Sequence, residues 1–295
     1  MENNPLVTVN ILSYNRKDEL RNTLQKVFEQ DYKNIEVIVV DNCSTDGTVE
    51  MVTSEFPIVS LIRLNKNIGI AGWNRGFEVA KGEYILVLDD DAYPSRDAVE
   101  KSLFEFEKDS FIVCITLNVI DTNDANKKRC SWIPQEDIEK CEWPIFVGCA
   151  VIFKNIGSII YMPEEYFLYQ HELPVAAEIY INKFKIFYKK DIIAFHFFKN
   201  KNYYNKHHDI LRFKNNIHYI LKYIPFTVVI FYLIQQLLFY LSRSLRKRWF
   251  GNYLNILFHI NFSIIFHKKI SIRYLWSLRP LTTFNYSLFS KLIRK

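Results

Sequence analysis

The run Tyr84-Ile85-Leu86-Val87-Leu88 leads directly into Asp89-Asp90-Asp91, with Pro94 close behind. A short unbroken apolar run reads as a strand buried on both faces, as in a parallel sheet, and open α/β sheets bind ligands at their strand ends. Three adjacent carboxylates repel one another, so something positive belongs there. Mg²⁺ or Mn²⁺, which prefer oxygen ligands, is the expected partner. The alternative, a solvated acidic turn, suits an isolated DDD better than one at the end of a buried strand.

The chain before this point alternates strands and helices. Residues 7–12, 35–40 and 59–64 read as strands, and 17–30, 48–56 and 74–81 as helices, with Leu20, Leu24, Val27 and Phe28 on one face of the first. Short links between them predict a mostly parallel, doubly wound α/β sheet with helices on both faces. Right-handed crossovers then bring Ser13, Tyr14, Asn15, Asp41, Asp46, Asn67 and Asp89–Asp91 to one sheet edge. Ser95 is placed to cap a helix over 96–108. Further strands are expected at 111–115, 146–153, 185–189 and 192–195, with a helix at 173–184 and irregular chain over 117–142. Five of the eight glycines lie between Gly47 and Gly82, which concentrates close backbone approach ahead of the acidic strand.

A hydrophobic content of 49% excludes a disordered chain. The net charge of +6 conceals an asymmetry, because residues 192–295 contain seventeen Lys and Arg against one acid, Asp209. The first 191 residues are correspondingly acidic. Five cysteines with no CxxC pair argue against a structural zinc site or a disulfide framework and fit a reducing cytoplasm. The N-terminal segment has no basic, apolar leader pattern, so no signal peptide is expected.

Neither GxxxxGK[ST] nor a GxGxxG after the first strand occurs, so P-loop and dinucleotide-binding readings lose their main support. A phosphoryl-transfer enzyme with an aspartyl nucleophile would place it after the first strand, where this chain has Ser13-Tyr14-Asn15. Four ordered segments point elsewhere: VNILSYNR (9–16), VVDNCSTDGT (39–48), NKNIGIAGWNRG (65–76) and LDDD (88–91). Together they resemble glycosyltransferase family 2, and the nearest flavour is similar to rhamnosyltransferase-like enzymes of bacterial surface polysaccharides. The resemblance is specific over the first 95 or so residues and looser to about 196.

The resemblance implies a GT-A fold over residues 1–198 and an inverting, metal-dependent transfer from a UDP- or dTDP-sugar. Asp41 would accept a hydrogen bond from the N3–H of uracil or thymine, with helix capping as its alternative. Ser13, Tyr14 and Arg16 would line the base pocket, and Asn67, Gly69 and Asn74 would border ribose and diphosphate. Asp89, Asp90 and Asp91 match the DxD region; Asp91 is the leading metal ligand, with Asp89 second and nearer the ribose or sugar. His196 is either a further metal ligand or a structural histidine. Asp46 more simply fixes the turn before the second helix.

The family's E-D-x-D element is thin here. The corresponding run is Gln170-His171-Glu172-Leu173-Pro174, so Glu172 becomes the candidate base, with His171 as alternate and Glu164, Glu165 and Glu178 behind. A catalytically weak nucleotide-sugar binding protein of a glycan assembly complex is the competing expectation.

Residues 199–295 form a basic, aromatic tail. Its longest apolar stretch, 225–241, falls short of the roughly 20 residues a spanning helix needs. Arg243, Arg246, Lys247 and Arg248 follow. This predicts helices lying on the inner face of the cytoplasmic membrane, with a lipid-linked glycan as a fitting acceptor. Packing on the catalytic domain or in a homo-oligomer is the alternative. No nucleic-acid module accompanies the charge.

Overall fold

The computed structural model describes residues 4–123, 129–130, 132–135, 137–197 and 206–278. Contacts divide the chain into two compact units, 1–202 and 203–295. The expected boundary at 198/199 lies outside the described residues.

The first unit opens with strand β1 (Val7–Ser13), helix α1 (Lys17–Phe28), β2 (Ile35–Asp41), α2 (Thr48–Glu55) and β3 (Ser60–Arg63). A 3₁₀ turn (Gly69–Ala71) leads into α3 (Gly72–Val79), followed by β4 (Tyr84–Asp89), the short β5 (Ala92–Pro94) and α4 (Ala98–Lys108). Then come β6 (Ile112–Asp121), β7 (Lys140–Glu142), β8 (Ala150–Lys154), α5 (Glu172–Ile181) and β9 (Lys185–His196). Among the described residues these strands make one sheet in the order β3-β2-β1-β4-β8-β6-β9-β5, with β7 beside β9.

The β3-β2-β1-β4 half is parallel, as the alternating pattern predicts. Its register places Ser13 opposite Asp41 and Leu12 opposite Asp89, so the polar ends of β1, β2 and β4 share one edge. Val7, Val9, Ile11, Leu86 and Leu88 are buried in the core that α1 and α2 also line through Leu20, Leu24, Val27 and Val52. The other half departs from the parallel expectation. β8 runs antiparallel to both β4 and β6, while β6 and β9 are parallel to each other. Apolar runs specify burial on both faces but not strand direction.

Several boundaries also shift. Residues 146–149, expected as strand, form a turn in which the Ala150 amide donates to the Val147 carbonyl (3.3 Å). Helix α4 starts at Ala98; the Ser95 hydroxyl donates to the Asp97 carboxylate instead of capping, and the Ser95 carbonyl accepts the Ala98 amide. The two expected strands over 185–195 are one twelve-residue strand. β6 extends to Asp121, into chain expected to be irregular.

The second unit contains α6 (Lys206–Tyr223), α7 (Val229–Arg246), α8 (Phe250–Phe258) and α9 (Ile272–Ser277). Phe213, Tyr240, Trp249 and Tyr253 form its aromatic core. Asp209 is buried and accepts a 2.6 Å hydrogen bond from Arg243 Nε, so the tail's sole acid is internally neutralised. Among the described residues no helix is long and apolar enough to cross a membrane.

Candidate active site

The site is assembled from strand ends. After β1 the chain turns through Asn15, whose φ of 53° is left-handed, a conformation Asn tolerates better than most residues. The Asn15 amide donates to Ser44 Oγ (2.9 Å), and its Oδ1 accepts the Thr45 amide (2.8 Å), tying the β1–α1 turn to the β2–α2 turn. Asp46 accepts the Lys17 and Thr48 amides, so it fixes these turns. Asp41 ends β2 almost fully buried. Its Oδ2 accepts the Ser44 amide (3.1 Å), while its Oδ1 is buried with no hydrogen-bond partner. Asp41 thus holds the turn after β2 rather than capping α2, which begins at Thr48, and keeps one oxygen open. Ser13 Oγ beside it is likewise buried without a partner, and the Tyr14 ring is exposed.

Arg16 stands away from the base-pocket role expected of it. Its guanidinium reaches across to the acidic triplet and donates to Asp90 Oδ1 (3.2 Å) and to Asp91 Oδ2. Asp90 also accepts the Tyr14 amide (3.3 Å). On the other side, His196 Nε2 lies 2.9 Å from Asp91 Oδ1 and 3.8 Å from Asp89 Oδ2. Part of the positive charge demanded by the triplet is thus supplied by the chain itself.

The three aspartates have different electrostatic surroundings. Burial and the Asp91 charge push Asp89 up, and burial pushes Asp90 up to about 7 despite Arg16. Asp91 is also buried, but its bonds with His196 and Arg16 outweigh desolvation and hold it below the usual carboxylate range. His196 is raised in turn, since Asp91 and Asp89 outweigh its burial. Neighbouring groups with divergent proton affinities are a mark of functional sites.

Asn67 Oδ1 accepts the Gly69 amide (2.8 Å), shaping the loop before α3. Gly69 has φ +65°, and a Cβ there would fall 1.8 Å from the Phe167 carbonyl oxygen. Only glycine permits that contact, which the Ile70 amide completes by donating to the same oxygen (3.0 Å). Asn74, expected to border the ribose and diphosphate, acts as a clamp on the loop that follows Tyr161. Its Nδ2 donates to the Met162 carbonyl (2.9 Å) and its Oδ1 accepts the Met162 amide (2.8 Å). Gly69 and Asn74 thereby pin the 162–171 loop to the first half of the sheet.

That loop delivers His171 and Glu172. Tyr169 and Gln170 are both left-handed (φ 70° and 60°), and α5 begins only at Glu172, with Pro174 tolerated in its first turn. Both ring nitrogens of His171 and Glu172 Oε2 are buried without hydrogen-bond partners. The His171 ring packs against Trp73 at 5.7 Å. A Cβ on Gly148 would lie 2.4 Å from His171 Nε2 and 3.0 Å from Glu172 Oε1. The next residue, Cys149, places its Sγ within 4.8 Å of ligand atoms of Asp89 and His196.

Cys149, Gly148 and Trp73 are site residues that sequence reading missed. The Cys149 position depends on the antiparallel pairing of β8 with β4, which no local pattern signals. Glu164 pairs with Arg75 at the surface, away from this cluster.

A divalent cation fits the residues present. Two ligands on one cation stand at most about 4.6 Å apart, given metal–ligand distances near 2.0–2.3 Å. The Nε2–Oδ1 and Nε2–Oδ2 separations fall inside that span, and the Asp89–Cys149–His196 cluster is within a few tenths of an ångström of it.

The sequence profile of "Glycosyl transferase family 2" matches residues 8–194. The succinoglycan biosynthesis protein ExoO of Rhizobium meliloti is 27% identical over 161 residues, 54% of this chain and 46% of ExoO. WfaP of Escherichia coli, a UDP-Glc:α-D-GlcNAc-diphosphoundecaprenol β-1,3-glucosyltransferase, is 39% identical over 90 residues, 30% of this chain and 36% of WfaP. The matches thus span less than half the length of these curated relatives. Among solved structures, the mannosyltransferase PcManGT from Pyrobaculum calidifontis, in complex with GDP-Man and Mn²⁺, superposes with a TM-score of 0.57 at 23% identity. The superposition covers 74% of this chain and 64% of that one, and the shared architecture is the GT-A fold. With the profile spanning well over half of the chain and most of the sheet, the chain belongs to glycosyl transferase family 2.

Proposed function

We propose that the chain is an inverting, metal-dependent glycosyltransferase. It moves a sugar from a UDP- or dTDP-linked donor to an acceptor hydroxyl in surface-polysaccharide biosynthesis. The observation that carries this reading is Glu172, its Oε2 buried without a hydrogen-bond partner and 3.7 Å from His171 Nδ1, against Gly148, the residue before the Cys149 that groups with Asp89 and His196. A carboxylate with an open lone pair can take a proton, and the cluster can hold a cation at a departing diphosphate.

Asp41 Oδ1 accepts the N3–H of the donor base, which selects uracil or thymine over cytosine. Glu172 removes the proton from the acceptor hydroxyl as its oxygen bonds to the anomeric carbon. The bond from that carbon to the diphosphate oxygen breaks on the opposite face, inverting the centre. His171, wedged between Trp73 and Gly148, positions Glu172 and is the alternate base. Asp89, Asp91 and His196 would hold Mg²⁺ or Mn²⁺, which supplies Lewis-acid stabilisation of the leaving nucleoside diphosphate when bound. The Mn²⁺ of the PcManGT complex and the UDP-Glc donor of WfaP support this choice of cation and donor class.

The tail is assigned to peripheral contact with the inner face of the cytoplasmic membrane, where a lipid-linked glycan acceptor would lie. On α7, Ile230, Ile234, Leu238 and Leu245 form an exposed apolar stripe, and Arg246, Lys247 and Arg248 are exposed just beyond it. Bases beside an apolar stripe suit an anionic lipid surface.

A second reading, a catalytically weak nucleotide-sugar binding protein, is favoured by one feature: Pro174 stands where the family's E-D-x-D element has its last acid. One experiment separates the two. Thermal shift with UDP-, dTDP- and GDP-sugars, with and without Mn²⁺, is followed by donor hydrolysis on the ligands that bind. Stabilisation by a uracil or thymine nucleotide together with Mn²⁺-dependent hydrolysis supports the enzyme. Stabilisation without turnover supports the binding protein, and no response to any uracil or thymine donor removes both.

A further inference from the structure

We infer that Cys149 is a direct ligand of the divalent cation, giving this chain a mixed oxygen, nitrogen and sulfur metal site. The inference rests on the metal-dependent reading above and extends it to a residue that neither the acidic triplet nor His196 implies.

Cys149 owes its place to the sheet. β8 pairs antiparallel with β4, Leu88 opposite Ala150, so the residue before β8 falls beside Asp89. The Asp89 amide donates to the Cys149 carbonyl (3.0 Å), which locks the two backbones together. The thiol, a carboxylate oxygen of Asp89 and a ring nitrogen of His196 lie mutually within 4.8 Å. Among the described residues this is the one group of three or more His, Cys, Asp and Glu side chains meeting that span. It combines three donor chemistries on three separate elements: the end of β4, the turn before β8 and the end of β9.

Cation binding breaks the Cys149 S–H bond, forms a sulfur–metal bond and releases the proton to solvent. A thiolate and a carboxylate together neutralise the charge of a divalent ion. Sulfur also changes selectivity, because thiolate favours borderline and soft cations whereas Mg²⁺ prefers oxygen alone. The site should therefore discriminate among divalent ions more steeply than an all-oxygen and imidazole site would.

The test is a Co²⁺ titration of the intact protein followed by absorption, with calorimetry alongside. Wild type is expected to show a near-ultraviolet sulfur-to-cobalt charge-transfer band that Cys149→Ser lacks and Cys43→Ser retains. Cys149→Ser should lose about tenfold or more in Co²⁺ affinity, since even outer-shell losses reach that size. Its Mg²⁺ affinity should change far less. X-ray absorption on Zn²⁺-loaded wild type makes the same test without a mutation, with a sulfur neighbour expected at about 2.3 Å. Co²⁺ binding without the band, or a band that survives Cys149→Ser, overturns the inference and leaves the metal-dependent reading intact. Failure of Co²⁺, Mn²⁺ and Mg²⁺ all to bind overturns both.

Discussion

His196 Nε2 sits 2.9 Å from Asp91 Oδ1, joining the last strand of the first unit to the acidic triplet. Antiparallel pairing of β5 with β9, Ala92 opposite His196, sets this distance, and the Phe197 amide donates to the Asp91 carbonyl (3.1 Å) to secure it. Arg16 approaches Asp91 through the other carboxylate oxygen. The triplet, of which Asp90 and Asp91 are buried, is thus flanked by two basic side chains.

Arg16→Gln should expose how much of that balance is electrostatic. It removes charged hydrogen bonds from two buried carboxylates, a loss of about 2 kcal/mol at the scale of bonds to charged groups. Thermal denaturation should show a lower midpoint than wild type. Added Mn²⁺ should recover more of the midpoint in the variant than it adds to wild type. Equal Mn²⁺ effects in both would mean that Arg16 and the cation do not share the triplet.

Glu172→Gln keeps size and hydrogen bonding but loses the base. Transfer should fall by about 10²- to 10⁴-fold, the usual worth of general base catalysis. Donor KM and the thermal midpoint should stay close to wild type. Initial rates across donor concentration check this, and near-normal kcat would move the base to His171.

Gly69→Ala introduces two faults at once. A left-handed residue with a Cβ costs about 1–2 kcal/mol, and this Cβ would strike the Phe167 carbonyl. Denaturant unfolding should show a loss beyond the backbone term alone. Limited proteolysis should cut faster within 162–171, because the Ile70–Phe167 bond is the anchor that breaks. Wild-type stability would refute the close packing.

Acid should destabilise the fold partly through Glu105. This buried carboxylate is desolvated, which alone would raise it, but Lys108 at 2.8 Å and Lys189 at 3.3 Å outweigh burial and lower it. A depressed folded-state value means the folded chain binds fewer protons than the unfolded chain. The contribution is therefore complete above about 4.5, the ordinary glutamate value, and is lost as pH falls through the lower folded value. Glu105→Gln should flatten the acid limb of a stability-against-pH curve while lowering stability near neutrality.

Leu238→Glu with Ile234→Glu places two acids on the exposed stripe of α7, where both residues are more than half exposed. Flotation with vesicles containing anionic phospholipid should recover wild type and lose the double variant. Wild type should also dissociate as salt rises, since part of the attraction is screened charge. An unchanged sedimentation profile would indicate that the stripe is not a contact between copies.

Much of the nucleotide side of this protein is written locally. Alternation of apolar runs with amphipathic helices specifies four strands in parallel, and parallel register alone aligns Ser13, Asp41 and Asp89 at one edge. Such periodicities act over a few residues, so a single sequence displays them. What only tertiary structure decided is which distant segments meet at that edge. Strand direction left Cys149 beside Asp89, and a second strand pairing brought His196 to Asp91. Two left-handed residues and the Gly69 and Asn74 anchors turned His171 and Glu172 inward, just ahead of the helix that local pattern expected from 173. Arg16, given a base-pocket role by the family resemblance, pairs with Asp90 and Asp91, because buried carboxylates attract the nearest cation that can reach them. Local pattern specifies the sheet edge, whereas long-range pairing and electrostatics determine which chemistry gathers on it.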